Sequence, residues 1–170
     1  MSKLLALATQ ACLAQLQAGY REIYGPREPD YSGRLRWATQ VALAWQTQPG
    51  VAATGAEPVL MATLAGQAML HGKQLREGGV SSRDWLQVMI ALLWHDLGRL
   101  PGVCRGDRPQ AGWYASGGER GALGPRPGEH IPASQLRRYR SQRSQQFAAE
   151  QCQGCPDLDL ATIQRCIAAT

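Results

Sequence analysis

The chain has 170 residues, 44% of them hydrophobic and 18% charged, with a net charge of +5. That is one domain's worth of chain with enough apolar content for a core, which excludes a wholly disordered protein. No apolar run reaches the roughly 18 residues of a membrane span, and Met1-Ser2-Lys3 leads into a helical pattern with no cleavage site behind it, so no membrane partner is expected. Five scattered cysteines, an odd number, argue against a disulfide framework and for a reducing, cytoplasmic setting.

The spacing predicts an all-α fold of about six helices. Leu4, Leu5, Ala8, Ala11, Cys12 and Leu16 share one face of a first helix that Gly19 should end. Leu35, Ala38, Val41, Ala42 and Trp45 mark a second, closed by Pro49-Gly50. A third runs from about Pro58 to Arg76. Its apolar residues, Val59 through Met69, leave little polar face and suggest a central helix. Glu77-Gly78-Gly79 ends it. Ser81 and Asp84 form the capping box of a fourth, whose Leu86, Met89, Ile90, Leu93 and Leu97 make a buried stripe, with Gly98 where a left-handed residue would close it.

From residue 99 to 132 the chain reads as a long loop rich in Arg, Gly and Pro. Within it, Trp113 and Tyr114 beside Arg108 and Arg120 could stack a base, or simply pin the loop to the core. Ser134 opens a fifth helix to about Gln151. Cys152 and Cys155 have zinc-knuckle spacing but no second pair, which leaves them as loop cysteines. Asp159 caps a sixth helix, with Leu158 and Ile163 spaced as a hydrophobic staple.

Charge is concentrated rather than spread. From Arg99 to Arg143 nine arginines stand against Asp107, Glu119 and Glu129, a net of +6. Arginine's planar fork grips carboxylate or phosphate bidentately. Arg99, Arg105, Arg137, Arg138 and Arg140 are therefore candidates for binding an acidic protein or a phosphorylated ligand. A solvated basic face is the plainer reading of the same run.

His95-Asp96 closes the fourth helix in Ala91-Leu92-Leu93-Trp94-His95-Asp96-Leu97-Gly98. With Gly66–Leu70, Leu75–Ser81, Asp84-Trp85 and Val103–Asp107 around it, this text resembles a cyanobacterial-type branch of the HD superfamily of metal-dependent phosphohydrolases. The resemblance extends over about residues 53–170. It implies a single HD-like domain over 1–170, with a helical pair in 1–50 and a core in 53–170 that includes loop 99–132. It also implies a divalent metal held by a His on an earlier helix, by the HD pair, and by a later Asp or His. Such donors suit Mn, Fe or Zn, which would polarise a phosphoryl oxygen and supply hydroxide.

The ligand set is thin in this chain. If the third and fourth helices run antiparallel, a partner for His95 must lie near residues 54–62, and only Glu57 is available there. His71 sits some 13 residues away along its helix, about 20 Å from the metal end. Downstream, Tyr139-Arg140-Ser141-Gln142-Arg143-Ser144 is similar to a Tyr-His-x-Asp-Arg-Ser stretch of the family. Arg140 and Gln142 stand where its His and Asp would be, and a guanidinium has no lone pair for a metal. His130 and Glu129 are the remaining donors.

Three functions follow as expectations. The first is an HD scaffold without hydrolysis or tightly bound cofactor, binding an acidic or phosphorylated partner through its arginines. The second is an active phosphohydrolase with metal on His95, Asp96, Glu57 and His130, and Arg99 or Arg105 on the phosphate. The third, a nucleic-acid binder using 99–143, lacks any recognition-helix motif. His95 and Asp96 also have a purely structural reading, in which the pair ties down the chain after the helix.

Overall fold

Helix-forming Ala, Leu, Gln and Arg at three- and four-residue spacing fold as expected. A computed structural model, which describes residues 3–47, 56–115 and 130–170, is all-α, with six α-helices and one two-stranded ribbon among those residues. The chain divides into two compact units, residues 1–93 and 94–170.

In the first unit, α1 (Lys3–Tyr24) runs past Gly19, where the sequence suggested a stop. Gly19 serves instead as a small residue, because the side-chain amide of Gln67 occupies the space a Cβ would need. The helix ends at Gly25, whose φ of 78° only glycine adopts freely. Tyr20 Oη donates to Pro29 O at 2.8 Å and fixes the link to α2 (Ser32–Gln46). Pro49 and Gly50, expected to close α2, lie outside the described residues.

α3 (Ala56–Glu77) packs along α1 through buried Val59, Leu60 and Thr63. It is not the all-round central helix its composition suggested. Met61, Met69 and Leu75 are exposed on its other side. Gly78 and Gly79, both at positive φ, reverse the chain. The capping box then starts α4 (Ser82–Trp94) as expected. Asp84 N donates to Ser81 Oγ at 3.0 Å, and Ser81 Oγ donates to Asp84 Oδ2 at 2.7 Å. Leu92 lies against Gly66 of α3, as an antiparallel pair requires. Trp85, Leu86, Met89, Ile90 and Leu93 are all buried, so the stripe read from the sequence is the core of this helix.

In the second unit the described parts of the long connection, residues 99–115 and 130–132, carry local structure. Leu97–Arg99 and Pro109–Ala111 form 3-10 turns, and β1 (Trp113–Ala115) pairs antiparallel with β2 (His130–Pro132) in the register Tyr114 to Ile131. Tyr114 is buried with Ile131 and Leu136, which bears out the pinning role, while Trp113 stays exposed. The fifth helix begins as a 3-10 segment, Ala133–Tyr139, before becoming α5 (Arg140–Gln151). α6 (Leu160–Ala168) packs on α5. Its cap is the expected one: Asp159 Oδ1 accepts from Thr162 N at 3.2 Å, and Leu158 and Ile163 are both buried.

Candidate functional site

Trp94 ends α4 against Phe147 of α5, ring edge to face at 5.5 Å, so the turn that follows is held next to the start of α5. His95 and Asp96 form that turn. Three residues on, Gly98 meets α5 so closely that an added Cβ would strike Arg140 O and lie 2.6 Å from Ser144 N. Its φ is not positive; the expected left-handed cap is absent, and the glycine is there for contact. Ser144 fastens the turn at two points. Its hydroxyl accepts from Gly98 N at 2.8 Å and donates to His95 O at 2.9 Å.

Beneath this turn lies a charge network that the sequence reading did not assign. Arg143 is fully buried and all five of its N–H groups are used. Nε donates to Gly98 O at 2.6 Å. Nη2 donates to Leu100 O at 3.1 Å and to Asp107 Oδ2 at 2.8 Å. Nη1 donates to Asp107 Oδ1 at 2.9 Å and to Ala115 O. Asp107, equally buried, also accepts from Ala115 N and Cys104 N. The Tyr114 ring faces the guanidinium at 5.8 Å. Burial pushes the neighbouring Cys104 thiol up to about 12, so it stays protonated. One ion pair thus joins the 3-10 turn at Leu97–Arg99, the 104–107 bend, β1 and α5.

The signal for it was present in the sequence. Leu136, Tyr139, Arg143 and Phe147 recur at helical spacing, so Arg143 sits on the apolar stripe of its helix, where a cation requires a carboxylate.

Asp96 has a different company. Arg99 Nε lies 2.6 Å from Asp96 Oδ2, though its N–H is not aimed at that oxygen, and Arg140 Nη1 lies 3.5 Å from Oδ1. Arg140 Nη2 reaches Thr170 O at 3.4 Å. The carboxylate is 19% exposed and the two guanidinium side chains about a third exposed. Both oxygens of the one carboxylate in the HD pair therefore face cations already.

The other candidates are scattered. Arg137 and Arg138 project into solvent from the 3-10 segment before α5, and Arg105 is exposed at the 104–107 bend. Glu57 is exposed in the first turn of α3, in the first unit, where the helix dipole favours it. His130 begins β2 opposite Ala115; the proposal that its ring donates to a metal falls outside the described side chains, as does Glu129 altogether. Among the described residues, no three His, Cys, Asp or Glu side chains gather where an ion could be held.

The residues around Asp96 do not fit a divalent metal. A cation there would have to displace two guanidinium groups and would meet their charge at close range.

A family model described as Npun_R2479-like matches residues 3–170. The chain belongs to the Npun_R2479-like family. The match covers both units of this family member, so the ion-pair network and the Arg-rich segment lie within the family's own extent. The searches of curated proteins and of solved structures give no match.

Proposed function

We propose that this protein is an HD-like scaffold that has given up metal-dependent hydrolysis and acts by binding an acidic protein surface or a phosphorylated ligand. The observation that carries the reading is the pairing at Asp96. Arg140 stands where the HD resemblance implies a histidine ligand, and its guanidinium is directed at the carboxylate that would otherwise hold metal. With Arg99 it supplies the positive charge of an ion without an ion's open coordination positions. Polarising a phosphoryl oxygen and generating hydroxide both need such positions, so the turn is left as a structural corner.

The free valence of the unit lies beside that corner. Arg137 and Arg138 are exposed and, among the described residues, have no carboxylate partner. Arg140, two residues after Arg138, and Arg99 are only partly exposed. The fork of each exposed guanidinium matches a pair of carboxylate or phosphate oxygens. No described helix is long and apolar enough to cross a membrane, and the buried, protonated thiols of Cys12 and Cys104 fit a cytoplasmic location.

The experiment compares the full chain with Arg137→Ala/Arg138→Ala, using fluorescent phosphoserine and polyglutamate peptides in anisotropy titrations. Loss of two charge-assisted contacts should weaken binding by roughly tenfold or more, with affinity falling as salt rises. Unchanged binding in the double variant removes this surface from the account. In parallel, hydrolysis of a generic phosphomonoester with Mn(II) should stay at background. Chelator-sensitive turnover that disappears in His95→Ala would restore the hydrolase.

A further inference from the structure

The outer face of α3 carries more apolar surface than a helix exposed to water needs. Met61 is 60% exposed, Met69 76% and Leu75 76%. Ala65 and Ala68 are exposed between them, and Gly72 is half-buried. Positions 61, 65, 68, 72 and 75 advance by four, three, four and three residues, the rhythm of a seam between two helices. Single exposed apolar side chains are ordinary; here Met61 and Leu75 stand at the two ends of one stripe, with Met69 beside it, and together they mark a contact surface.

The stripe is complementary to itself. In an antiparallel pair centred on Ala68, Met61 of one copy lies against Leu75 of the other, Ala65 against Gly72, and Ala68 against Ala68. Bulky residues meet at the ends and small ones at the crossing, where two helices approach most closely. The charges agree with that direction. Glu57 stands in the first turn of α3 and Arg76 in the last. Antiparallel pairing brings Glu57 of one copy within a turn of Arg76 of the other at both ends, whereas parallel pairing sets like charges together. Arg76 already lies along the stripe, its guanidinium beside Gly72.

We propose that the exposed face of α3 is a homodimer interface, an antiparallel α3–α3 pair about a two-fold axis at Ala68. The occupant is a second copy of this chain, because an isologous contact demands this kind of self-matching register. A 22-residue helix is about 33 Å long. Such a pair buries about 1,000 Å² in all, the lower end of what a specific interface needs. The dimer is therefore concentration-dependent.

Sedimentation equilibrium of the full chain over a concentration series tests it. The weight-average mass should climb from 18.5 kDa towards twice that value. Ala68→Glu places two carboxylates at the axis and should hold the mass at the monomer value, with the helical circular dichroism unchanged because Ala68 is exposed. Glu57→Arg and Arg76→Glu should each weaken the dimer, and the two together should restore it. A monomer at every concentration overturns the proposal. A dimer that survives Ala68→Glu overturns α3 as its interface, and a charge-swapped variant no better than the single ones overturns the antiparallel direction.

Discussion

Arg143 and Asp96 show how the same pairing of charges has different consequences at different depths. The Arg143–Asp107 pair is sealed from water, so removing one member strands the other. Arg143→Met should destabilise the protein by about 3–5 kcal/mol in urea unfolding, and adding Asp107→Asn should recover part of that loss. Asp96→Asn, which breaks a partly exposed pair, should cost less than about 1 kcal/mol. A reversed ranking would mean that the buried network is not what holds the corner. Arginine content was plain in the sequence, where Arg99, Arg105, Arg137, Arg138 and Arg140 stand as candidates for binding and Arg143 belongs to the same basic run. The structure separates them: Arg143 is interior, Arg99 and Arg140 neutralise Asp96, and Arg137 and Arg138 remain outward. Composition alone carries no depth; the helical stripe containing Arg143 did.

At the scale of elements, caps and stripes were legible because their determinants are local. The Ser81–Asp84 box and the Asp159 cap formed as their spacing dictates. Thr162 donates side-chain and backbone hydrogen bonds to Asp159, lowering its pKa below the ordinary 3.8. A lowered folded-state pKa stabilises above the unfolded value and is lost as pH falls through the folded one. Fraying of α6, followed by amide exchange at Thr162, should therefore begin only below about pH 3.8 and be absent at neutral pH.

Gly19 and Gly98 were misread for one shared reason. Both were taken as helix-ending residues, and both are small because another part of the chain presses on them. Such contacts join residues far apart in sequence, as Gly19 with Gln67 and Gly98 with Ser144. Gly98→Ala should therefore destabilise by about 1–3 kcal/mol or more, since backbone atoms of α5 cannot step aside. Gly66→Ala should be milder, because its neighbour is the flexible end of Leu92. Equal effects would count against the close packing of α5 on the turn.

Each unit holds one thiol away from ionising surroundings, Cys12 in the first and Cys104 in the second. Burial pushes Cys12 up to about 11 and Cys104 up to about 12, from an ordinary value of 9.0. Above pH 9 the unfolded chain loses these protons while the folded chain retains them, so stability should decline from pH 9 upwards. Replacing both by Ala should flatten that decline in thermal unfolding followed against pH. An unchanged slope would place its origin elsewhere.

The all-α class was readable from helical periodicity. What surrounds Asp96 was only half legible. Arg140 was visible in the sequence as a cation where the HD resemblance implies a histidine, but its guanidinium facing the carboxylate is a fact of folding.

Titration of Mn(II) into the metal-stripped full chain, followed by calorimetry, addresses that corner most directly. With Arg99 and Arg140 occupying Asp96, the heat should show no saturable binding, and the melting temperature should be the same with Mn(II) or with chelator. A one-to-one isotherm that vanishes in Asp96→Asn would contradict the account.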